Sequence, residues 1–347
     1  MNADQPQTAV EVPLTNATGA DGKAPLYAKN ADGSLTAVQV EDGESVTLTA
    51  QVPASGLYQI HVSYQALTGK DIDILCALYI DGQLPFSSAA GLTMTRAWKD
   101  SNEQSYSDDQ GNEYRPEQIE EFSWQDTWLC AKDEYLDGGY EFYFEAVSHT
   151  LTFTSIQEGF CLGSLTLGRE KTPPSYDEYL ADYAAEGLTP EAVEAKVQYL
   201  EGEDAVFKSH PILYSIADYS SCITRPYDVY RSLQNTIGGE NWSTKGQWME
   251  WNVEVETAGF YQLAFRYKQN YKSGSFSVRQ LKVDGEVPFA EAGEITFRYD
   301  LGWGVSALGE NTPTYLYLDK GTHTFRLEVV YGSFAEICEE VQACVEE

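Results

Sequence analysis

The sequence is short of positive charge. Its 347 residues contain 22 Lys and Arg against 54 Asp and Glu, which gives a formal net charge of −32 at pH 7. A field of that sign repels phosphate backbones and anionic lipid surfaces. The composition therefore argues against nucleic acid and membrane surfaces as partners, and solubility in an exposed environment is sufficient to explain it.

Long apolar runs and a signal peptide are also missing. No stretch approaches the roughly 20 apolar residues of a membrane span, so we expect no transmembrane segment. Met1 is followed by polar residues, and we expect it to stand after a removed leader. At the other end, Glu347 follows no stop signal or polar tail, and we expect the chain to be part of a longer protein with a further C-terminal domain.

Catalytic motifs are absent as well. The chain has no HExxH, GxSxG, Walker or strand-linked GxGxxG pattern. Of its four histidines, His149 and His323 fall at corresponding turns of the repeat described below, where a structural role is favoured. Acidic residues are too numerous for any one pair to indicate acid–base catalysis. The sequence predicts a protein that is not an enzyme.

The cysteines show no disulfide framework. The six of them form no CxxC pair and do not match between the two copies of the repeat, since Cys76 aligns with Arg279 and Cys161 with Ala335. Free thiols in a reducing or anaerobic habitat are therefore favoured over three bridges.

What the sequence does contain is a long internal repeat. Residues 56–60 return as 259–263, and residues 80–86 return as 283–289, both at an offset of 203. Around His149 and His323 the offset falls to 174, so the first copy carries 29 extra residues. Two copies of one long unit predict two domains of one fold.

The repeated segments have the period-two alternation of half-buried strands, and tight-turn dipeptides separate them. We predict an all-β chain: two antiparallel β-sandwich domains, jelly-roll and galactose-binding-like, at 1–170 and 198–347. A helical linker at 171–197 is predicted because apolar residues at 176–186 and 190–199 have helical spacing. The first domain has an insertion at about 99–137, a length that usually indicates function. Residues 336–345 could be strand or helix.

Aromatic residues make up 13% of the chain, more than most cores need. Sugars present apolar ring faces rimmed by hydroxyls, and they are bound by flat aromatic platforms beside planar polar groups. The loop tryptophans are either lids on the core or such platforms. The candidates are Trp303 in the second copy and Trp98, Trp124 and Trp128 in the first.

Arg279 falls on the apolar parity of its strand, where a guanidinium is costly unless it is paired. Glu291 is a candidate partner in the sequence, and Gln269 and Asn270 end the preceding strand. The arrangement is either a buried structural ion pair or part of a polar ligand site. Separately, Glu201 and Glu203 stand in an acidic turn, which is either solvated or a calcium site.

The repeat resembles carbohydrate-binding modules of the galactose-binding-like jelly-roll superfamily, through residues 259–267, 283–289 and 321–327 and Trp303. Residues 111–118, with Trp124, resemble the N-terminal region of extracellular solute-binding lipoproteins of sugar ABC transporters in Gram-positive gut bacteria. The resemblance implies a site near Asn270 and Trp303 and a calcium near Glu203. In the first copy Leu67 and Cys76 replace Asn270 and Arg279, so a site there would have to be built from the insertion.

We therefore expect non-catalytic glycan binding at the cell surface or outside the cell, in support of sugar capture and import. The alternative is a structural or interaction module without a glycan ligand, which docks or spaces the missing C-terminal domain. Solvent-facing indoles over a polar-rimmed groove favour the first, and a broad apolar patch favours the second.

Overall fold

The computed structural model of the chain describes residues 8–19, 22, 26–29, 35–101, 106–132, 135–190, 197–271, 273–309 and 312–346. Antiparallel strands dominate these ranges, and the α-helices among them are α1 (Tyr176–Ala185) and α2 (Ser333–Glu346). The predicted all-β sandwich class is confirmed. In the described part of the chain no helix combines the length and the apolar character needed to cross a bilayer. All six cysteines are free thiols.

The first half of the chain contains sixteen strands within the described residues. They are β1 (Val10–Glu11), β2 (Thr18–Gly19), β3 (Leu26–Lys29), β4 (Leu35–Val40), β5 (Ser45–Gln51), β6 (Gly56–Ala66), β7 (Ile74–Ile80), β8 (Leu92–Met94), β9 (Ala97–Asp100), β10 (Tyr106–Ser107), β11 (Glu113–Tyr114), β12 (Gln118–Glu121), β13 (Gln125–Trp128), β14 (Phe142–Phe144), β15 (Ser148–Gln157) and β16 (Phe160–Gly168).

The second half contributes the remaining described strands. They are β17 (Phe207–Lys208), β18 (Ser215–Ile216), β19 (Thr236–Ile237), β20 (Trp248–Val255), β21 (Gly259–Gln262), β22 (Ala264–Tyr267), β23 (Phe276–Val283), β24 (Ile295–Arg298), β25 (Gly304–Ala307), β26 (Tyr315–Leu318) and β27 (Gly321–Val329).

The chain forms two compact units. Unit 1 comprises Met1–Ala97 and Glu120–Lys171, and unit 2 comprises Trp98–Ile119 and Thr172–Glu347. The predicted insertion at 99–137 is therefore divided: its first part belongs to unit 2 and its second part to unit 1. Helix α1, which lies in the predicted linker, belongs to unit 2. Of the second predicted linker helix, residues 191–196 lie outside the described residues, and residues 197–200 are not helical.

Unit 1 is a sandwich of two antiparallel sheets. One follows the order β13–β6–β16–β4–β3, and the other follows β2–β5–β15–β7–β8. Alternate residues of β6 point between the sheets, so Tyr58, Ile60, Val62 and Tyr64 are each at most 2% exposed. Strand β16 closes the unit by pairing with β6 on one side and β4 on the other. The apolar residues of β16 pack into the core of unit 1.

Unit 2 repeats part of this plan. Its main sheet runs β12–β9–β17–β20–β27–β23–β24, and the opposite layer consists of two separate ribbons, β21–β26 and β22–β25. Helix α1 packs on this unit through the rings of Tyr176, Tyr179 and Tyr183, which contact Phe289, Phe260 and Tyr317. The hydroxyls of Tyr176 and Tyr179 accept hydrogen bonds from the Tyr315 and Tyr317 amides, at 2.8 Å each. The helix begins with a capping box between Ser175 and Glu178.

The two units differ most at the closing strand. The offset of 174 aligns β16 of unit 1 with residues 334–342 of unit 2, which lie in helix α2. The segment that the sequence left open between strand and helix is thus a helix. Without a strand in this place, the ribbon β22–β25 lacks the neighbour that β6 has in unit 1. Leu263, Phe265 and Tyr267 remain half-buried for this reason, whereas the corresponding residues of β6 are fully covered.

One turn is identical in both units. In unit 1, Asp81 has a φ of 51°, and its carboxylate accepts hydrogen bonds from His149 Nδ1 at 2.6 Å and from the Thr150 amide at 2.8 Å. In unit 2, Asp284 has a φ of 52° and makes the same two bonds, with the same lengths, to His323 and Thr324. The repeated histidines therefore lock the Asp-Gly turns.

Candidate functional site

A cavity of about 800 Å³ lies inside unit 2, between the β23–β27 face of the main sheet and the β22–β25 ribbon. Its volume is within the range of about 300–1,000 Å³ typical of small-molecule sites. Four of the sequence-predicted residues line it together: Gln269, Asn270, Arg279 and Trp303.

Arg279 extends from β23 into this cavity and is 8% exposed. Its guanidinium carbon lies 4.3 Å from the ring centroid of Trp242. Nη2 donates to the Trp242 carbonyl at 2.7 Å and Nη1 to the Val278 carbonyl at 2.8 Å. Burial lowers the pKa of Arg279 to about 10, so the side chain is still cationic at neutral pH. Among the described residues, its Nε–H is buried without a hydrogen-bond acceptor.

The expected ion pair between Arg279 and Glu291 does not form in the described part of the chain. The turn after β23 directs the Glu291 carboxylate to the first turn of α1, where it accepts a hydrogen bond from the Tyr176 amide at 3.1 Å. A carboxylate at this position satisfies one of the free N–H groups at the helix start and complements the helix dipole. Glu291 is thus a helix-capping residue, and it does not line the cavity.

Trp303 directly precedes β25 and is half-buried against the cavity. Its indole Nε1 is buried and, within the described ranges, has no acceptor. Gln269 is buried after β22, where its side-chain oxygen accepts the Tyr271 amide at 3.1 Å and its carbonyl accepts the Asp300 amide at 2.9 Å. Asn270 is exposed beside it. An indole, an amide pair and a guanidinium therefore border one space.

The three tryptophans predicted as platforms from the first copy do not reach this cavity. Trp98 lies in β9 of unit 2, where it is paired in the sheet with Lys208. It is 5% exposed, so its indole has little surface open for stacking. Trp128 packs against His61 at 4.9 Å in unit 1. Trp124 is 43% exposed, and its ring lies over Gly163, where a Cβ would be 2.6 Å from Cζ3. Trp124 and Trp128 thus both cover the surface of unit 1, and the Trp124 indole is still partly open to solvent.

The place in unit 1 that corresponds to the site is occupied by its own side chains. Arg96 is buried there, and its Nη2 bonds Glu158 at 2.6 Å, while Glu120 pairs with Nη1. Its remaining donors reach the carbonyls of Leu67 and Ile72. Because two carboxylates of unit 1 neutralise Arg96, we interpret this network as stabilising the fold of unit 1 and not as a ligand site.

The first part of the insertion supports the cavity from within unit 2. Lys208 is fully buried and is held by Asp100 and by Gln118, the latter at 3.2 Å. Further along the insertion, Glu113 accepts the Gln234 amide at 2.8 Å. Arg115 lies 4.2 Å from the ring centroid of Tyr214. These contacts hold the segment 214–235, which carries several residues of the cavity wall.

The predicted metal ligands Glu201 and Glu203 also line the cavity. Burial, and then the charges of Glu201, Asp204 and Glu113, raise the pKa of Glu203 to about 7. Across the residues that the structure describes, no group of three or more His, Cys, Asp or Glu is placed to hold a metal ion. Calcium at this position therefore stays a prediction.

The sequence did not single out Trp242 as a site residue. It follows Gly238 and Gly239, which have φ values of 93° and 59°, and a Cβ at Gly238 would lie 3.1 Å from the Trp242 ring. The two glycines give this turn the shape that seats the indole beneath Arg279. The Gly-Gly pair shortly before Trp242 is the feature of the sequence that could have indicated Trp242 as a site residue.

No family model matches the chain, and no curated protein matches it. Solved structures do match parts of it. A family 35 carbohydrate-binding module from Clostridium thermocellum aligns at 12% identity and a TM-score of 0.25, over 46% of this chain and 97% of that one. A GH26-CBM35 β-(1,4)-mannanase from Podospora anserina aligns at 12% identity and a TM-score of 0.24, over 48% of this chain and 29% of that one.

An isomalto-dextranase from Arthrobacter globiformis T6, in complex with panose, aligns over 90% of this chain and 38% of that one, at 11% identity and a TM-score of 0.26. The chain thus spans well under half the length of each of these two enzymes. These TM-scores are low, so the fold assignment rests on the strands and sheets of the chain itself.

Proposed function

We propose that the cavity of unit 2 binds a sugar residue of a glycan without chemically changing it. The observation that carries the proposal is the convergence of Trp303, Arg279 and Gln269 on one cavity of about 800 Å³. The aliphatic face of a sugar ring stacks on an indole. Its hydroxyls accept hydrogen bonds from amide and guanidinium N–H groups and donate to amide oxygens. The arrangement is thus chemically matched to a sugar.

The same proposal places the protein outside the cell or at its surface, where it would support sugar capture and import by a Gram-positive bacterium. The strongly acidic composition fits a soluble surface protein, and the motif resemblance points the same way. Free thiols at all six cysteines fit a reducing or anaerobic habitat.

A glycan array followed by calorimetric titration tests the proposal. Wild-type protein is expected to bind at least one class of glycan, and Trp303→Ala to weaken that binding about tenfold. Aromatic pairs gain about 0.5–1.5 kcal/mol beyond their buried area, and we expect a similar gain for a sugar ring on the indole. A factor of ten in affinity corresponds to about 1.4 kcal/mol. Trp303→Phe keeps a ring but removes the buried N–H, and it separates stacking from hydrogen bonding.

Trp124→Ala is the matched control, because it removes an exposed indole from unit 1 and leaves the cavity intact. It is expected to bind as the wild type does. Failure of every glycan class to bind the wild type contradicts the proposal. Equal losses in Trp303→Ala and Trp124→Ala would move the site away from this cavity.

A second candidate function is docking of another domain. Ile337 and Val341 are 55% and 58% exposed on α2, and residues four apart lie on one helix face. Substitution of both by Lys is expected to leave glycan binding unchanged if the protein binds glycans, and to disrupt association with a partner domain if it is a docking module. Pull-down with a candidate partner domain distinguishes the two functions.

A further inference from the structure

The charge of Arg279 has different surroundings from those of two other buried cations, Arg96 and Lys208. Arg96 is paired with Glu120 and Glu158, and Lys208 with Asp100, while the half-buried Lys268 is paired with Asp218. The two hydrogen bonds that place the Arg279 guanidinium go instead to neutral backbone carbonyls. A buried charge without a counter-charge is unfavourable by several kcal/mol in general, so this site is left in need of an anion.

The cavity wall reverses the charge balance of the chain. The whole sequence has 22 basic against 54 acidic residues. Among the described residues that line the cavity, five are Lys or Arg and four are Asp or Glu. Asp218 and Lys268 pair with each other at 2.9 Å, which leaves four cations and three acids in the described lining. The scarce cations are thus concentrated where a ligand would sit, inside a surface that is otherwise strongly negative.

The cavity contains buried hydrogen-bond donors that a ligand with acceptor atoms would satisfy. Arg279 Nε and Trp303 Nε1 are both buried and have no acceptor among the described residues. The face of the guanidinium is covered by Trp242, at 4.3 Å, so a ligand approaches its edge. A carboxylate has only acceptor oxygens, and its hydrogen bonds to a guanidinium are about twice as strong as neutral ones.

We propose that the sugar bound in unit 2 carries a carboxylate, which is neutralised by Arg279. This inference rests on the proposed function, since it specifies the ligand class of the same cavity. Trp303 would stack on the sugar ring and donate its N–H, while Arg279 fixes the acidic group. The ligand class is an acidic glycan, and hexuronates and sialic acids are the two sources of that chemistry.

Calorimetry with pairs of sugars that differ only at this group tests the proposal. Glucuronate is compared with glucose, and galacturonate with galactose; N-acetylneuraminate is added to separate the two sources of carboxylate. The wild type is expected to bind the acid of at least one type about tenfold tighter than neutral sugars, with a preference that falls as salt rises. Tighter binding of N-acetylneuraminate than of both hexuronates assigns the sialic acids.

Two variants give the residue-level readout. Arg279→Gln is expected to abolish the preference for the acid, and Arg279→Lys to keep only part of it, since a lysine lacks the planar fork. Arg326→Gln is the matched control: Arg326 lies 3.9 Å over the ring of Trp248 and is paired with Glu250, outside the cavity. Its removal is expected to leave the preference unchanged.

The outcomes separate the two proposals. Equal binding of acid and neutral sugars by the wild type overturns the carboxylate inference and leaves glycan binding standing. Absence of binding by every sugar on the array and in calorimetry overturns the proposed function itself. Because the wild-type comparison needs no variant, it holds even where Arg279→Gln folds poorly.

Discussion

Within unit 2, Arg279 stacks on the ring of Trp242 and donates a hydrogen bond to its carbonyl. The guanidinium carbon lies 4.3 Å from the indole centroid, and the Trp242 carbonyl accepts from Nη2 at 2.7 Å. The two residues are 37 positions apart in sequence, and their contact joins β23 to the loop before β20. The same contact stacks the arginine and leaves its Nε–H open to the cavity.

Trp242→Ala is expected to destabilise unit 2 and to weaken glycan binding together. Loss of the cation–π contact costs about 0.5–2 kcal/mol, and the void left by the indole adds to it. Trp242→Phe retains a ring and should recover most of both losses. Thermal unfolding and calorimetry on the two variants provide the measurement, with Trp128→Phe in unit 1 as the control. Wild-type affinity in Trp242→Ala contradicts this role.

The ion pair between the buried Lys208 and the half-buried Asp100 holds the first part of the insertion within unit 2. Burial lowers the pKa of Lys208, and Asp100 opposes that shift. Asp100→Ala should destabilise the protein by about 3–5 kcal/mol, because it leaves a buried cation unpaired. The double variant Lys208→Met with Asp100→Leu should be much less harmful. Urea unfolding of the two proteins gives the comparison, and equal destabilisation would show that charge pairing is not the cause.

The stability of unit 2 is expected to depend on the protonation of His323. Burial acts to lower the pKa of His323, but the acceptors Asp284 and Asp319 outweigh it and raise the pKa above its ordinary value of 6.5. Since the folded pKa is the higher one, the stabilisation is complete below about pH 6.5 and is lost as the pH rises through the folded pKa. Both ring nitrogens face acceptors, at 2.6 and 2.8 Å.

His323→Gln should remove this part of the pH dependence, since an amide cannot gain a proton in that range. Unfolding measured between about pH 5 and pH 8 tests it, with His61→Gln as the comparison. A pH profile that is unchanged in His323→Gln would assign the dependence to another group.

Calcium, if it binds at Glu201 and Glu203, should raise the melting temperature of the wild type by mass action. Glu203→Gln should reduce that rise, because a neutral amide oxygen in place of a carboxylate lowers the affinity for calcium. Differential scanning calorimetry with calcium and with a chelator is the measurement, and magnesium serves as the control ion. If the wild type melts at the same temperature with calcium and with the chelator, calcium does not bind at this position.

Much of the fold could be read from the sequence because β5 and β6 alternate with a period of two. In β6 the parity that predicted Tyr58 and Ile60 as buried is also what the structure shows. The parity of Arg279 likewise predicted a guanidinium facing the inside of the sandwich, where it lies. Both predictions depend only on the alternation of residues within one strand, and the folded protein keeps that alternation.

The parts that failed depend on contacts between distant segments. Nothing near Trp98 shows that its strand pairs with Lys208, 110 positions along, so its burial was not apparent. Glu291 stands close to Arg279 in sequence, yet it caps a helix that begins 115 residues earlier. Residues 336–345 were open between strand and helix because their apolar spacing fits both, and the helix formed there leaves the ribbon β22–β25 without the neighbouring strand that β6 has in unit 1.

A crystal structure of the chain with its tightest-binding saccharide tests the central claim most directly. The account predicts a sugar ring in van der Waals contact with the Trp303 indole, and an acceptor oxygen within hydrogen-bond distance of Arg279 Nε. A saccharide bound elsewhere on the molecule, with this cavity closed or unchanged, would contradict it.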